Sequence, residues 1–426
     1  MKALMEYTTE QLNEFEAAAQ KKYDEFVAQG ISLNMARGKP ASEQLDIYDN
    51  MLNEHFKEIG FKSEDGTDCR NYGILYGIEE CRKLFGEILG VDWKNVIACG
   101  SSSLNLMFDF IAQGMYKGFA GCEPWVCNKN RKFIAVVPGY DRHFGIAQYF
   151  GFELINVPMT DKGPDMDLVE ELIKNPDVKG MFCVPKYSNP DGITYSDETV
   201  IRLASMKPVA KDFRVIYDNA YIVHDVYEEG DELLNIFDEA KKYGNEDNFV
   251  TFTSTSKITY AGAGVSAMAA SDRNFKEISD RLTLQIISYD KMNQLRHAYF
   301  YKTVDDVKEQ MKKHAAILRP KFETVLRILS EELGELGVAK WNEPRGGYFI
   351  SLDVTTGSAK YVGELCKKAG VTLTGVGATY PYEIDPEDKN IRLAPSCPTV
   401  PELEIATEII CLAVKLAACK EIREGK

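Results

Sequence analysis

Between residues 133 and 270 the chain repeats one arrangement: a short apolar run, a polar break, then an amphipathic stretch. Phe133-Ile134-Ala135-Val136-Val137, Gly180-Met181-Phe182-Cys183-Val184 and Phe213-Arg214-Val215-Ile216-Tyr217 show almost no polar alternation. Strands of that kind are buried on both faces. Glu153–Val157, Thr251–Ser254 and Val265–Ala270 continue the series, with helices expected between most of them. Apolar strands separated by helices make a mostly parallel sheet covered on both sides, so the class is α/β. Such sheets bind ligands beyond the carboxyl ends of their strands. The polar clusters at Gly100, Tyr140, Asn189, Asp218 and Lys257 all follow strand ends and are expected to meet in one crevice.

The flanks read differently. Thr8-Thr9-Glu10-Gln11 is a capping-box pattern before a helix that ends near Gly30. Residues from Thr303 to about Leu336 predict a long helix interrupted at Pro320, suited to linking two domains. Beyond it, Val338–Trp341 and Tyr348–Asp353 flank Glu343-Pro344-Arg345-Gly346-Gly347 as a hairpin-like unit. Short strands follow near 371 and 391, and Thr399-x-x-Glu402 caps a last helix. The expected division is a large domain over residues 51–302 and a smaller α+β domain from 1–50 and 303–426.

A chain of 426 residues holds about two to three domains. Its formal charge of −15 argues against a nucleic-acid partner or an anionic membrane surface. The start at Met1-Lys2-Ala3-Leu4 lacks a long apolar leader, and no apolar run approaches the roughly 20 residues that span a bilayer. A cytoplasmic protein is expected. The 10 cysteines form no C-x-x-C pair and read as buried free thiols, while the 5 histidines include no zinc spacing, so no metal is expected.

Thr251-Phe252-Thr253-Ser254-Thr255-Ser256-Lys257 reads as a strand running into hydroxyls and one lysine. There a buried amine can form a Schiff base with an aldehyde cofactor. Gly100-Ser101-Ser102-Ser103, between a strand and a helix, suits either a phosphate or a plain helix cap. With Asn189-Pro190-Asp191-Gly192, Asp218-Asn219-Ala220-Tyr221 and Asn390-Ile391-Arg392-Leu393-Ala394, these clusters stand in the order found in the class I aminotransferases. Those are fold type I enzymes that use pyridoxal 5′-phosphate (PLP), and the chain resembles them from Gly38 to Arg392.

The resemblance implies a role for each residue. Lys257 matches the Schiff-base lysine, Asp218 the partner of the pyridinium nitrogen, and Tyr221 and Asn189 the two groups bonded to the ring oxygen. Tyr140 matches the stacking aromatic and His143 a histidine supporting the aspartate. Ser101, Ser102 and Ser254 match phosphate donors, and Tyr72 a tyrosine reaching the neighbouring subunit's phosphate, which implies a homodimer with shared sites. Arg392 and the Gly38 backbone match the substrate α-carboxylate site. For a distal carboxylate, Arg37, Lys291 and Arg345 are all available. Where many relatives carry a phosphate-binding arginine after the lysine, this chain has Tyr260-Ala261-Gly262-Ala263-Gly264-Val265. Ala36-Arg37-Gly38-Lys39-Pro40 with Asp290-Lys291-x-Asn293-Gln294 resembles a divergent bacterial aspartate aminotransferase subgroup related to MocR-like proteins. The implied reaction moves an amino group from L-aspartate to 2-oxoglutarate. Alanine or aromatic aminotransferases and C–S β-lyases share the same chemistry, and a PLP-sensing module without turnover is the alternative from another class.

Overall fold

The computed structural model describes residues 3–47, 51 and 60–425. Its strands, in chain order, are β1 (Leu33–Asn34), β2 (Val96–Ala98), β3 (Lys132–Val137), β4 (Glu153–Thr160), β5 (Gly163–Pro164), β6 (Val178–Cys183) and β7 (Arg214–Asp218). They continue with β8 (Phe249–Ser254), β9 (Ser266–Ala270), β10 (Ala339–Trp341), β11 (Ile350–Val354), β12 (Val371–Thr372) and β13 (Asn390–Leu393). Eight of them form one sheet in the order β2-β9-β8-β7-β6-β3-β4-β5. Pairs β4/β3, β3/β6, β6/β7 and β7/β8 are parallel, and β9 runs antiparallel between β8 and β2.

The period of two along β3 sorts its side chains onto two covered faces. Phe133, Ala135 and Val137 enter a core with residues of helices Ser103–Tyr116, Asp141–Tyr149 and Asp272–Gln285. Ile134 and Val136 enter another, with residues of helices Met166–Leu172, Asp197–Ser205 and Ile236–Tyr243. Phe133 is fully buried, so Phe133→Ala should cost about 3–5 kcal/mol. The α/β architecture with a mostly parallel sheet is therefore the one the apolar runs dictate, and β2 through β8 all deliver their carboxyl ends to one edge apart from the short antiparallel β5.

A separate core unites helices Thr9–Gln29, Val304–Leu333, Ala359–Lys368 and Val400–Arg423 with the antiparallel sheet β10-β11-β13 and the parallel pair β1-β12. The expected caps are formed: Thr8 with Gln11, and Thr399 with Glu402. Gly30 closes the first helix in the left-handed region. The expected interruption at Pro320 is corrected: Val304–Leu333 is one continuous helix with Pro320 inside it. A proline there removes one N–H bond. Leu318, Phe322 and Val325 are nevertheless buried around it, and packing holds the helix through the gap. The residues 271–302 that the sequence left unassigned form helices Asp272–Gln285 and Lys291–Phe300. The division expected at 50/51 falls against 48–50 and 52–59, outside the described residues. All ten cysteines are free thiols, and seven are buried. Among the described residues no helix is long and apolar enough to cross a membrane.

Candidate active site

The carboxyl ends of β2, β3, β6, β7 and β8 carry their polar clusters to a cavity of about 390 Å³, closed on its far side by residues of the smaller sheet. Lys257, Asp218, Tyr221, Asn189, Tyr140, Ser102, Ser254, Arg392, Gly38 and Arg37 all line it. A larger cleft of about 690 Å³ lies beside Asp191, Trp341, Asp353 and Asp385. Its one lysine, Lys389, is paired with Glu387 at 2.5 Å. It has no free amine or guanidinium, so the smaller cavity is the one equipped for chemistry.

Asp218 ends β7 and is 3% exposed. Its Oδ2 lies 3.1 Å from His143 Nε2, while Oδ1 is buried without a partner on a side chain that lines the cavity. His143 is fixed by stacking on Phe182, with ring centroids 4.5 Å apart and planes at 10°. Tyr140 meets the edge of His143 at 4.9 Å. Burial first, then Asp218 and Asp141, push the Tyr140 hydroxyl up to about 12. The Tyr221 hydroxyl is pushed well above its ordinary value, again mainly by burial, so both phenols are neutral donors.

Lys257 follows β8 in a single turn, Thr255–Lys257, and its Nζ sits 5.0 Å from the centre of the Tyr221 ring. Burial lowers its pKa, and the Asp218 carboxylate opposes that shift. A lysine whose ammonium is poorly solvated gives up its proton more readily and becomes nucleophilic. Beneath it, His297 Nε2 lies 3.1 Å from Thr255 Oγ1 and 3.0 Å from Thr259 Oγ1, with Nδ1 donating to the Asn293 carbonyl at 2.8 Å.

Hydroxyls occupy one end of the cavity. Ser254 Oγ donates to Ser256 Oγ at 3.1 Å, and Ser102 caps the fourteen-residue helix Ser103–Tyr116. The glycine-rich segment after Lys257 carries no arginine. Val265 is 1% exposed and exchanges bonds with Thr255, its N–H to Oγ1 at 2.9 Å and its carbonyl to the Thr255 N–H at 2.8 Å. A Cβ on Gly264 would stand 2.9 Å from Thr255 Oγ1, so the segment packs against the lysine turn and puts no long side chain into the cavity.

At the other end, Arg392 comes from β13 and is 8% exposed. Its Nη1 meets Asp141 Oδ1 at 3.1 Å and Asn189 Oδ1 at 3.2 Å, and Nε and Nη2 reach Thr374 Oγ1 at 3.4 and 3.3 Å. Phe349 lies under the guanidinium at 4.9 Å. The same ring explains Gly38: a Cβ there would fall 2.4 Å from Phe349 Cζ.

Four expected residues lie elsewhere. Ser101 is exposed and contributes only its carbonyl, which accepts from Ser256 Oγ at 3.3 Å. Tyr72 is 79% exposed and outside this cavity. Lys291 is 3% exposed at the start of its helix and does not line the cavity. Arg345 is drawn to the Glu229 carbonyl and lies 3.8 Å from Asp231. Lining residues that the sequence reading missed include Lys39 and Ser256, within runs it quoted, Asp141 and Arg142, between Tyr140 and His143, and Phe349, which it did not single out.

The family described as aspartate amino-transferase matches residues 7–426. An aspartate aminotransferase of Corynebacterium glutamicum is 47% identical over 419 residues, 98% of this chain and 97% of that protein. The crystal structure of an aspartate transaminase from the same species superimposes with a TM-score of 0.96 at 47% identity, covering 98% of this chain and 99% of that one. A helix-turn-helix transcriptional regulator of Bacillus subtilis, YcxD, is 24% identical over 39% of this chain and 34% of its own length.

Proposed function

The chain belongs to the aspartate aminotransferase family, and on that premise we propose that it transfers the amino group of L-aspartate to 2-oxoglutarate by a ping-pong cycle. It is an aminotransferase, and aminotransferases of this fold type use PLP. The residues present fit that cofactor: the unpartnered, buried Oδ1 of Asp218 suits a pyridinium N–H, and Lys257 suits an aldehyde. When bound, PLP supplies that aldehyde and a ring that takes up the electrons left on the substrate Cα.

The same proposal gives each lining residue a role. Asp218, oriented by His143, would hold the ring nitrogen protonated, and Tyr140 would cover the ring face. Tyr221 and Asn189 donate to the ring oxygen. Ser102, Ser254, Ser256 and the N–H groups that open helix Ser103–Tyr116 would hold the phosphate where many relatives use an arginine. Lys257 Nζ would hold the cofactor through its aldehyde carbon, the aldehyde oxygen leaving as water, and when the substrate amine takes that place the freed amine would be the base that moves the proton of the substrate Cα. Arg392 grips the α-carboxylate, with the Gly38 backbone beside it.

The aspartate reading is carried by one observation: Arg37 and Lys39 stand in the same lining as Arg392, giving a second carboxylate its own cations. Lys291 is the further candidate if it acts across subunits. In the proposed assembly, two copies share their sites through Tyr72, and each cavity lies between the domain of residues 51–302 and that of 1–50 with 303–426. The protein works in the cytoplasm on small amino and 2-oxo acids. The test is a donor panel with 2-oxoglutarate on wild type, Arg37→Met and Lys291→Met. Wild type should prefer aspartate, and loss of the distal cation should raise KM for aspartate far more than for alanine or phenylalanine. Equal effects on all three donors would overturn the dicarboxylate assignment.

A further inference from the structure

Four of the five N–H groups of Arg392 already meet partners, so an incoming carboxylate must displace one of them to gain two bonds. Nη1 is shared between Asp141 and Asn189, and Nε and Nη2 both meet the Thr374 hydroxyl. Two of these partners are neutral and held in place: Asn189 is 5% exposed, and Thr374 Oγ1 donates to the Ala36 carbonyl at 2.6 Å. Asp141 differs in every respect. It is anionic, its side chain is 32% exposed, and its other oxygen lies 3.9 Å from Nε of Arg142, which is itself 64% exposed. As the first residue of helix Asp141–Tyr149, it also keeps the favourable field of that N-terminus wherever its carboxylate turns.

We propose that Asp141 is a displaceable carboxylate, seated on Arg392 until the substrate's α-carboxylate takes its place, whereupon it turns to Arg142. This rests on the reading of Arg392 as the α-carboxylate anchor. The exchange is like for like: one carboxylate leaves the buried guanidinium as another arrives, so the charge there is never left unpaired. A ligand with no carboxylate cannot make that trade, because it would strand a buried cation. Asp141 is thus a specificity-determining residue. It also lowers the apparent affinity for every carboxylate ligand by the fraction of molecules in which Arg392 is occupied.

The experiment uses the full-length, PLP-loaded protein, with unreactive succinate as the ligand and succinamide as its carboxylate-free control. Binding is read from the absorption of the bound cofactor. Asp141→Asn and Asp141→Ala should each bind succinate about three- to tenfold more tightly than wild type, with succinamide unchanged. Arg392→Lys should bind succinate more weakly. If succinate affinity is unchanged or weaker in both Asp141 variants while Arg392→Lys is impaired, the displacement is wrong and the anchor stands. If Arg392→Lys is also without effect, the reading of the anchor falls with it.

Discussion

The floor and the rim of the cavity are built on opposite principles. At the floor, Asp218, His143, Tyr221 and Thr255 are each no more than 3% exposed, and all sit on or beside the central sheet. At the rim, Arg392 comes from the smaller sheet, Asp141 is a third exposed, and Arg37, Lys39 and Arg142 face solvent. Charges as deeply buried as Asp218 are tolerable only in fixed, hydrogen-bonded pairs, because an unpaired ion in a dry site is costly. Of the rim charges, the partly exposed Asp141 and the exposed Arg37, Lys39 and Arg142 can change partners at little cost, whereas the buried Arg392 must always keep one. The floor is therefore suited to holding one cofactor in one state, and the rim to admitting different carboxylates in turn.

Breaking the floor should affect turnover most. Lys257→Ala should lower transamination by about 10⁴-fold or more, the upper end of what one acid–base group contributes, and remove the cofactor's visible band. Turnover within tenfold of wild type would place the chemistry elsewhere. Asp218→Asn should retain the cofactor yet lower kcat by about 10²–10³-fold, since the ring nitrogen loses its anionic partner; an unaltered kcat would show that the buried pair is only structural. At the rim, Arg392→Lys exchanges a planar fork for a point charge. KM for aspartate should rise by about 10- to 100-fold with a smaller change in kcat, and steady-state kinetics separate the two.

The smallest effect concerns stability, and it too belongs to the floor. Burial holds His297 down at about 4, against an ordinary 6.5. As pH falls, the unfolded chain takes up this proton first, so stability present above about 6.5 is lost between there and about 4. The upper size is about 3 kcal/mol. Thermal unfolding between about pH 7 and pH 5 should show the decline, and His297→Gln should lessen it, with the buried His224 and His314 supplying the rest. Equal slopes in the two proteins would mean that His297 contributes nothing to it.

The floor was legible in the sequence for a physical reason: each of its residues follows a strand end, and a parallel sheet places strand ends together. Asp218, Lys257, Asn189 and Tyr140 could be gathered by that rule before any distance was known. The rim was legible only in part. Arg392 stood out once the other motifs were in order, but its contacts with Asp141, Thr374 and Phe349 bring together four separate segments of the chain. No local pattern announces such a meeting. Pro320 failed for a related reason, since local propensity marks a break and only tertiary burial decides that the helix continues. The segment after Lys257 was recognised as lacking an arginine. That Val265 bonds to Thr255 and is buried in the core is a tertiary fact that no local pattern carries.

The most direct test of the whole account is a single half-reaction. PLP-loaded protein is mixed with L-aspartate and no acceptor, and both the cofactor spectrum and the released 2-oxo acid are followed. The expected result is one oxaloacetate per site, with the visible band lost in step and restored by 2-oxoglutarate. A band that aspartate leaves unchanged, or that alanine or phenylalanine discharges while aspartate does not, would contradict it.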